Sequence, residues 1–548
     1  MLNIYNNSFN YQPKNAIQNI PFKQNSLNNT PNTSVVDSSQ QKEKSVYNGD
    51  VTHTSWFFIT DVHGKMTNME RLCNISKEFD RIAASEMTKN FFNSQEEKVS
   101  KFKVSSGDIV LGGNFLHNQV AGQFLKWSGI THSAYGNHEF DVPNVENLST
   151  LLKSTDCKML ASNILVNPNS PLADKIEKST ILEKDGIKYG LIGIAPSDMF
   201  DRVKLSDTSK AISVLNKEQT IDVVKNEVES LKKQGINHIV LLSHAGHKVD
   251  QRMAQEIDGI DLIFGGHTHE LVKGIKEGEN LFYSKSGEPV VITQAGKDGE
   301  NCGILNVDFD KNGVITKVQN NIIQTREYNR PLFVKDAVEK ILGKPEVIGK
   351  VGKTLPPPKN RLIESNPHAN MLVDAMRAEL DTDIALVNAG NIRGHFSVGP
   401  VDTRTIYDIT PFDNHMMVIK LSEKQIVDAI KYGCHSTTKS SCKPGLLFVS
   451  GLRYKANKKG ELLNLEFVDK NKQIHKIDIN NPSETKTYTV AADDFFATGG
   501  DGYIQKNEHP DFVIKELQID KDILACNYIK KLEQPIEIID DGRIEIVD

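Results

Sequence analysis

Short apolar runs that end in polar, glycine-containing turns recur along the chain from about residue 55 onward. Residues 56–60, 102–105, 239–242 and 261–264 each have the length of a buried strand, and each leads directly into a turn that carries aspartate or histidine. Amphipathic stretches such as residues 220–234 lie between them and have helical spacing. This alternation predicts an α/β fold whose polar side chains collect at the carboxyl ends of the strands, where such sheets usually place their sites.

The same pattern divides the chain into four segments. Residues 1–49 are rich in Asn, Gln and Ser and are expected to form a disordered polar tail. Residues 50–325 carry the strand-and-turn pattern of a first α/β domain. Residues 326–358 contain a predicted helix at 331–342, which Gly343 ends, followed by a stiff run of three prolines. Residues 359–548 form a second, smaller α/β domain.

Composition and charge narrow the class of protein. The 548-residue chain is 38% hydrophobic and 25% charged, as expected of a soluble globular protein. Its net charge of −6 argues against general binding to nucleic acid polymers or acidic membranes. We find no membrane-spanning run and no secretory signal, so a cytoplasmic location is the default expectation. The six cysteines lack zinc-site spacing and are expected to be free, although Cys434 and Cys442 could close a loop in an oxidising compartment.

Seven polar side chains at the predicted strand ends form a candidate metal-binding set: Asp61, His63, Asp108, Asn137, His244, His267 and His269. Carboxylate, amide and imidazole donors without a thiolate suit Zn, Mn, Co or similar divalent ions. Seven donors are too many for one tetrahedral ion, but they suit two ions that share a bridging carboxylate. Each residue alone could be an ordinary turn residue. Five such clusters, each following an apolar run, favour a dinuclear site.

Residues 136–141, with the sequence Gly-Asn-His-Glu-Phe-Asp, add a candidate proton donor. His138 directly follows the potential ligand Asn137 and would face whatever the ions hold. Asp141 could accept the other imidazole N–H and fix the tautomer of the ring.

Together these motifs resemble the signature of the calcineurin-like metallophosphoesterases, and residues 136–141 resemble its 5′-nucleotidase branch. The resemblance implies a four-layer αββα fold for roughly residues 50–325. It also implies that the first ion is held by Asp61, His63, Asp108 and His269, and the second by Asn137, His244 and His267, with Asp108 bridging the two. His138 and Asp141 would form the catalytic dyad.

Motifs in the C-terminal half indicate how a substrate is selected. Arg393 offers a planar fork for phosphate oxygens, and a nearby glycine allows close approach of the backbone. Asp501 follows a glycine-rich turn and could accept hydrogen bonds from a ribose diol. Phe495 could stack on a nucleobase, although most phenylalanines pack in cores.

These C-terminal stretches resemble the substrate-binding domain of secreted 5′-nucleotidases and UDP-sugar hydrolases. The resemblance implies that phosphate is contacted by Asn388, Arg393 and Arg361, and that the base lies between Phe448 and Phe495. The chain departs from the family pattern at Asn391, where a glycine is usual.

The predicted reaction is hydrolysis of a nucleoside 5′-phosphate to nucleoside and inorganic phosphate. A metal-activated water would attack phosphorus in line, while Arg393 offsets charge and His138 stabilises or protonates the leaving oxygen. Two other enzyme activities fit the same metals and domain plan, namely a 2′,3′-cyclic nucleotide 2′-phosphodiesterase with 3′-nucleotidase activity and a UDP-sugar hydrolase. A catalytically inactive nucleotide-binding module is the alternative from another class.

Overall fold

The computed structural model describes residues 20–21, 51–82, 99–201, 203, 206–439, 442–505 and 511–548. The predicted disordered tail therefore lies almost wholly outside the described residues. Its described part, Ile20–Pro21, pairs with Lys317 and Val318 at the edge of a sheet.

Two β-sheets form the centre of the N-terminal half. In spatial order, the first contains Ile20–Pro21, Ile315–Gln324, Asn301–Phe309, Thr52–Ile59, Val99–Ser105, His132–Ala134 and Lys158–Leu160. The second contains Leu281–Tyr283, Pro289–Thr293, Leu262–Phe264, His238–Ser243, Ile187–Ile194 and Ser179–Lys184. A two-stranded sheet pairs Ile164–Val166 with Ile212–Val214. The strands that lead into the candidate ligands run parallel to one another within each sheet, so their carboxyl ends share an edge.

Alternating side chains on Thr52–Ile59 show how the layers are built. Trp56 and Phe58 point between the two sheets, where the Trp56 ring stacks on Phe102 with 4.0 Å between ring centroids. Phe57 and Ile59 point to the opposite face and pack under helices. Because neighbouring strand residues face opposite sides, one strand supplies both cores.

Helices cover both outer faces and complete the four-layer αββα arrangement. Those against the first sheet are Met66–Ile82, Phe115–Ser128, Val145–Ser154 and Leu332–Leu342. Those against the second are Lys217–Lys233 and His247–Glu256, and a short helix, Asp207–Lys210, follows the connecting loop. Within the described ranges, no helix combines the length and apolar character that crossing a membrane requires.

The helix predicted after residue 330 begins at Leu332 and ends at Leu342, and Pro331 and Gly343 flank it. Val334 and Val338 are buried in the same core as the first sheet. The helix is therefore packed against the N-terminal half, and the flexible part of any connector would follow it.

Three sheets and five helices form the described part of the C-terminal half. The largest sheet has the order Leu447–Ser450, Ile384–Asn388, Thr487–Asp493, His415–Ser422 and Val513–Asp520. A four-stranded sheet has the order Ile474–Lys476, Leu462–Val468, Leu452–Asn457 and Ile544–Val547. A three-stranded sheet has the order Gly399–Asp402, Val347–Thr354 and Ile536–Ile538. The helices are Pro367–Leu380, Thr403–Ile409, Glu423–Cys434, Asp494–Ala497 and Lys521–Lys531. Ile384–Asn388 and Thr487–Asp493 are parallel, so the Arg393 turn and the glycine-rich turn start at the same edge. All six cysteines are free thiols.

Residues 403–413 of the C-terminal half contact the loops that follow strands of the first sheet and the start of the helix Phe115–Ser128. The Tyr407 ring stacks on His117 with 3.5 Å between ring centroids. The ammonium of Lys65 donates to the carbonyl of Asp408 at 2.6 Å. A Cβ added to Gly112 would lie 2.2 Å from the carbonyl oxygen of Pro411, so the two halves touch closely at this point. The contact places the predicted substrate-binding motifs opposite the candidate metal ligands.

Candidate metal centre and active site

The turns after the parallel strands bring the predicted donors into one buried cluster. Asp108 lies at its centre, with Oδ2 3.0 Å from His244 Nε2 and 3.5 Å from His63 Nε2. Asp61 Oδ1 lies 3.7 Å from His244 Nε2 and 3.4 Å from His269 Nε2. Asp108 therefore stands between donors from both sheets, as a bridging carboxylate would.

Asn137 and His267 complete the set on one side of the cluster. The Nδ1 atom of His267 lies 3.1 Å from Oδ1 of Asn137, and the His267 backbone N–H donates to Asp61 Oδ1 at 3.1 Å. All seven predicted donors thus meet in one place, although they come from five separate stretches of the chain.

Unusual backbone conformations aim these side chains. Positive φ angles between 50° and 73° occur at Asp61, His63, Asp108, His267 and His269. Few residues other than glycine adopt this left-handed region, and each such residue costs on the order of 1 kcal/mol or more. Backbone hydrogen bonds between the first two turns hold the conformation, from Asp61 N–H to the Gly107 carbonyl and from His63 N–H to the Asp108 carbonyl.

Two glycines allow the turns to pack this closely. A Cβ on Gly136 would lie 2.0 Å from Oδ1 of Asp108, and one on Gly266 would lie 2.6 Å from Nδ1 of His244. Because both contacts are shorter than any real Cβ contact, only glycine fits at either position.

Glu139, to which the sequence assigned no role, holds Asp108 in place. Its buried carboxylate accepts backbone N–H groups from Asp108 at 3.0 Å, Ile109 at 2.7 Å and Gly136 at 2.6 Å. Burial and the charge of Asp108 raise the pKa of Glu139, and these backbone donors partly offset the shift. Glu139 therefore ties the Asp108 turn to the Gly136 turn.

In His63 and His244, the ring nitrogen that points away from Asp108 has a fixed partner. His63 Nδ1 lies 3.0 Å from Asp298 Oδ1, and His244 Nδ1 lies 2.6 Å from the Ser106 carbonyl. The opposite nitrogens, Nε2 of His63 and of His244, are buried and face Asp108 Oδ2 at 3.5 and 3.0 Å, but neither makes a hydrogen bond of acceptable geometry among the described residues. A buried nitrogen without a partner needs an explanation, and a metal ion provides one because it takes the free lone pair. The donor set therefore fits divalent cations.

The charges of the cluster also favour cations. Burial alone would raise the pKa of Asp61, but the His244 charge and a hydrogen bond from His269 lower it to about 2. Burial would lower the pKa of His244, but the carboxylates of Asp108 and Asp61 raise it to about 10. The carboxylates therefore stay ionised and attract positive charge, which a metal ion supplies as it displaces the imidazole protons.

His138 and Asp141 form the predicted pair at the rim of the cluster. The two side chains are 2.6 Å apart, between His138 Nδ1 and Asp141 Oδ2. The same carboxylate oxygen accepts the Gly112 N–H at 2.9 Å, which fixes its position. A ring nitrogen of His138 lies within 4.8 Å of the His63 and Asp108 donor atoms, so the ring borders the metal site.

Arg393 faces this cluster from the C-terminal half. Its Nε donates to the Gly390 carbonyl at 2.6 Å, and its guanidinium carbon lies 5.2 Å from the centre of the Phe412 ring. That ring lies 6.3 Å from the ring of His138. Burial lowers the pKa of Arg393, and the carboxylates that act in the opposite direction come from both halves: Asp298, Asp141, Asp108 and Asp501.

Arg361 lies beside Arg393. Its Nη1 donates to the carbonyls of Ala389 and Ile392, at 3.2 Å each. Burial and the neighbouring Arg393 lower the pKa of Arg361 to about 9. Two adjacent guanidinium groups repel each other, and a bound anion would relieve that repulsion.

The other predicted substrate residues lie on the same edge of the C-terminal sheet, with one exception. The Asn388 amide donates to the Asp501 carboxylate at 2.7 Å, and Phe495 is half-buried against Gly500. Phe448 is the exception, because its side chain is 0% exposed within the C-terminal core. No face of its ring is open to a base, so the predicted stacking role is corrected to core packing.

The structure also accounts for the asparagine at position 391. Its amide N–H donates to the Asp493 carboxylate at 2.9 Å, and its oxygen accepts the Thr410 hydroxyl at 2.9 Å. Asp493 in turn pairs with the fully buried ammonium of Lys521 at 3.1 Å. The replacement of the usual glycine thus links the Arg393 turn to a buried ion pair.

Besides Glu139, sequence reasoning missed two carboxylates that contact the candidate ligands. Asp298 pairs with His63, and Asp198 Oδ1 lies 3.0 Å from His267 Nε2. A signal for Asp298 was present, because it follows the strand Pro289–Thr293 in a glycine-containing turn like those considered above.

Known protein families match the two halves separately. The calcineurin-like phosphoesterase family matches residues 57–271, and the 5′-nucleotidase C-terminal domain matches residues 347–507. This chain therefore combines a calcineurin-like phosphoesterase domain with a 5′-nucleotidase C-terminal domain. The two domains indicate a phosphoric monoester hydrolase, and the calcineurin-like domain implies divalent metal ions.

Individual relatives are similar to most of this chain at low identity. A probable 5′-nucleotidase of Treponema pallidum is 22% identical over 484 residues, covering 74% of this chain and 79% of the relative. An apyrase of Anopheles gambiae is 28% identical over 520 residues, covering 86% and 87%. The crystal structure of a 5′-nucleotidase precursor from Thermus thermophilus has a TM-score of 0.73 at 22% identity, covering 90% of this chain and 99% of that one. That likeness supports the two-part fold of the 5′-nucleotidase family.

Proposed function

We propose that this protein hydrolyses nucleoside 5′-phosphates to nucleosides and inorganic phosphate, with two divalent ions as cofactors. The position of Arg393 carries the proposal. The guanidinium carbon lies 5.2 Å from the centre of the Phe412 ring, which lies 6.3 Å from the His138 ring at the rim of the donor cluster. Arg393 Nε donates to the carbonyl of Gly390, which lies beside Asp501 on the C-terminal sheet edge. A ligand bound at Arg393 would therefore extend from the donor cluster toward a carboxylate that suits a ribose.

The donor cluster supports two ion sites that share Asp108. The first would be held by Asp61, His63, Asp108 and His269, and the second by Asp108, Asn137, His244 and His267. Two ions bound there would supply a metal-activated water for in-line attack on phosphorus and would offset charge on the phosphoryl oxygens.

The side chains around the cluster would position the phosphate and complete the proton transfer. Arg393 and Arg361 bind the non-bridging oxygens, which relieves the repulsion between the two guanidinium groups. Asp141 keeps the proton of His138 on Nδ1 in the neutral ring. When His138 is protonated, Nε2 can donate to the oxygen that leaves with the nucleoside.

The nucleoside would lie along the glycine-rich turn. Asp501, held by the Asn388 amide, is placed to accept hydrogen bonds from the ribose hydroxyls. Phe495 offers a partly exposed ring to the base. With Phe448 buried, Phe495 is the stacking residue that remains from the sequence prediction.

Phosphate release from AMP tests the function directly. We expect turnover with bound metal, a loss of at least about a hundredfold after chelation and dialysis, and recovery with Mn²⁺, Co²⁺ or Zn²⁺. AMP should have a higher kcat/KM than 3′-AMP, 2′,3′-cyclic AMP or UDP-glucose. Faster turnover of one of these would assign that activity instead. Nucleotide binding without phosphate release under any metal would identify a binding module.

The variant Phe495→Leu tests where the base binds. We expect KM for AMP to rise about tenfold, because stacking on an aromatic ring contributes roughly 1–3 kcal/mol per base. The variant should hydrolyse ribose 5-phosphate, which has no base, at the same rate as the wild type. Phe448→Leu is the matched control, and it should lower the melting temperature while leaving KM for AMP unchanged. Equal effects of Phe495→Leu on the two substrates would contradict the stacking role.

A further inference from the structure

The turn at residues 297–300 brings a carboxylate to the back of the donor cluster. Asp298 has a φ of +57°, and its side chain is 21% exposed. Its Oδ1 lies 3.0 Å from Nδ1 of His63, whose own side chain is only 1% exposed. The opposite nitrogen of the same ring, Nε2, faces Asp108 at 3.5 Å. The imidazole of His63 thus lies between the carboxylates of Asp298 and Asp108.

The backbone of Asp298 is hydrogen-bonded to the turn that carries Asp61 and His63. Its N–H donates to the carbonyl of Asp61 at 2.6 Å, and its own carbonyl accepts the Asn68 amide at 2.8 Å. Asp298 therefore cannot shift without disturbing the turn that carries Asp61 and His63. Contacts therefore hold both the side chain and the backbone of Asp298 in place.

The charge of Asp298 also affects two arginines of the C-terminal half. Its charge acts to raise the pKa of Arg393 and of Arg361, which burial lowers. Asp298 thus acts both on a histidine of the N-terminal half and on two arginines of the C-terminal half.

We propose that Asp298 is a positioning residue for the first metal ion, which it serves by accepting the Nδ1–H of His63 and directing the Nε2 lone pair at the ion. The inference rests on the proposed metal site, but it does not depend on which phosphate ester is hydrolysed. A carboxylate behind a ligating imidazole makes the ring a better donor and fixes its orientation. Asp298 does not touch the reacting atoms.

Mn²⁺ titration of the metal-free protein by calorimetry tests the proposal without any substrate. In Asp298→Ala we expect one of the two ions to bind about 10–100-fold more weakly while the affinity of the other is nearly unchanged. Asp298→Asn keeps an acceptor oxygen but loses the charge, so the loss should be smaller. Asn has the size of Asp, and this variant carries the test if Asp298→Ala fails to fold.

Asp308→Asn is the matched control. Asp308 also pairs with a histidine, at 2.7 Å from His53 Nδ1, but it lies on the strand Asn301–Phe309 away from the donor cluster. It should leave both Mn²⁺ affinities unchanged. Unchanged Mn²⁺ affinities in both Asp298 variants would overturn the proposal, and so would an equal loss at both sites together with a lower melting temperature of the metal-free protein. If wild type binds two ions but releases no phosphate from AMP, the proposed function fails while this inference stands.

Discussion

Asp108→Asn is expected to lower kcat for AMP by about a thousandfold. Asp108 is buried between His63 and His244, and as the shared ligand it would set the distance between the two ions. Removing its charge weakens both sites and the electrostatic stabilisation of the transition state, for which losses of a hundred- to a thousandfold per group are typical. Steady-state phosphate release and metal content by elemental analysis give the two readouts.

The substitution is conservative in shape, which makes the result interpretable. The amide oxygen of Asn can still accept the backbone N–H of His138, which in the wild type donates to Asp108 Oδ1 at 2.8 Å. We therefore expect a folded variant that holds fewer than two ions. A variant with two tightly bound ions and more than a tenth of the wild-type rate would show that Asp108 does not bridge.

His138→Asn is expected to slow AMP hydrolysis by about a hundred- to ten-thousandfold, the usual contribution of a general acid. The effect should depend on the leaving group. p-Nitrophenolate leaves without a proton, so hydrolysis of p-nitrophenyl phosphate should fall much less. Comparing the two substrates in wild type and variant separates proton donation from phosphate binding.

His132→Asn provides the matched control for that comparison. His132 starts a strand of the first sheet, and its ring nitrogen lies 2.9 Å from the Thr131 hydroxyl rather than near the donor cluster. Both substrates should be hydrolysed at nearly the wild-type rate. If His138→Asn slowed both substrates equally, His138 would act in phosphate binding or metal positioning instead.

The N-terminal site was predictable because its chemistry follows the strand pattern. Asp61, Asp108 and His244 each come directly after an apolar run, and the carboxyl ends of parallel strands converge. The side-chain types then indicated divalent ions without any knowledge of distances. Asp298 followed the same kind of strand, but its partner, His63, lies 235 residues away, and sequence spacing alone gave no reason to pair them.

Phe448 shows the opposite limit. It lies in Leu447–Ser450, a strand whose residues are all buried, so there is no polar face to indicate which side is open. In a strand covered on both faces, alternation carries no information about exposure. Only the pairing of Phe448 with Val387 places the ring in the core. The role of Glu139 was equally hidden from the sequence. Its carboxylate accepts three backbone N–H groups from two turns, and only the fold brings these turns together.

The left-handed turns at the donor residues have a consequence for how ions are captured. The conformational cost of these turns is incurred when the protein folds, and loop-to-loop hydrogen bonds maintain them afterwards. Little backbone ordering then remains for the binding step, so association should be limited mainly by dehydration of the cation. A preorganised cradle of this kind would distinguish between metals by ionic size and hydration rather than by adapting to each of them.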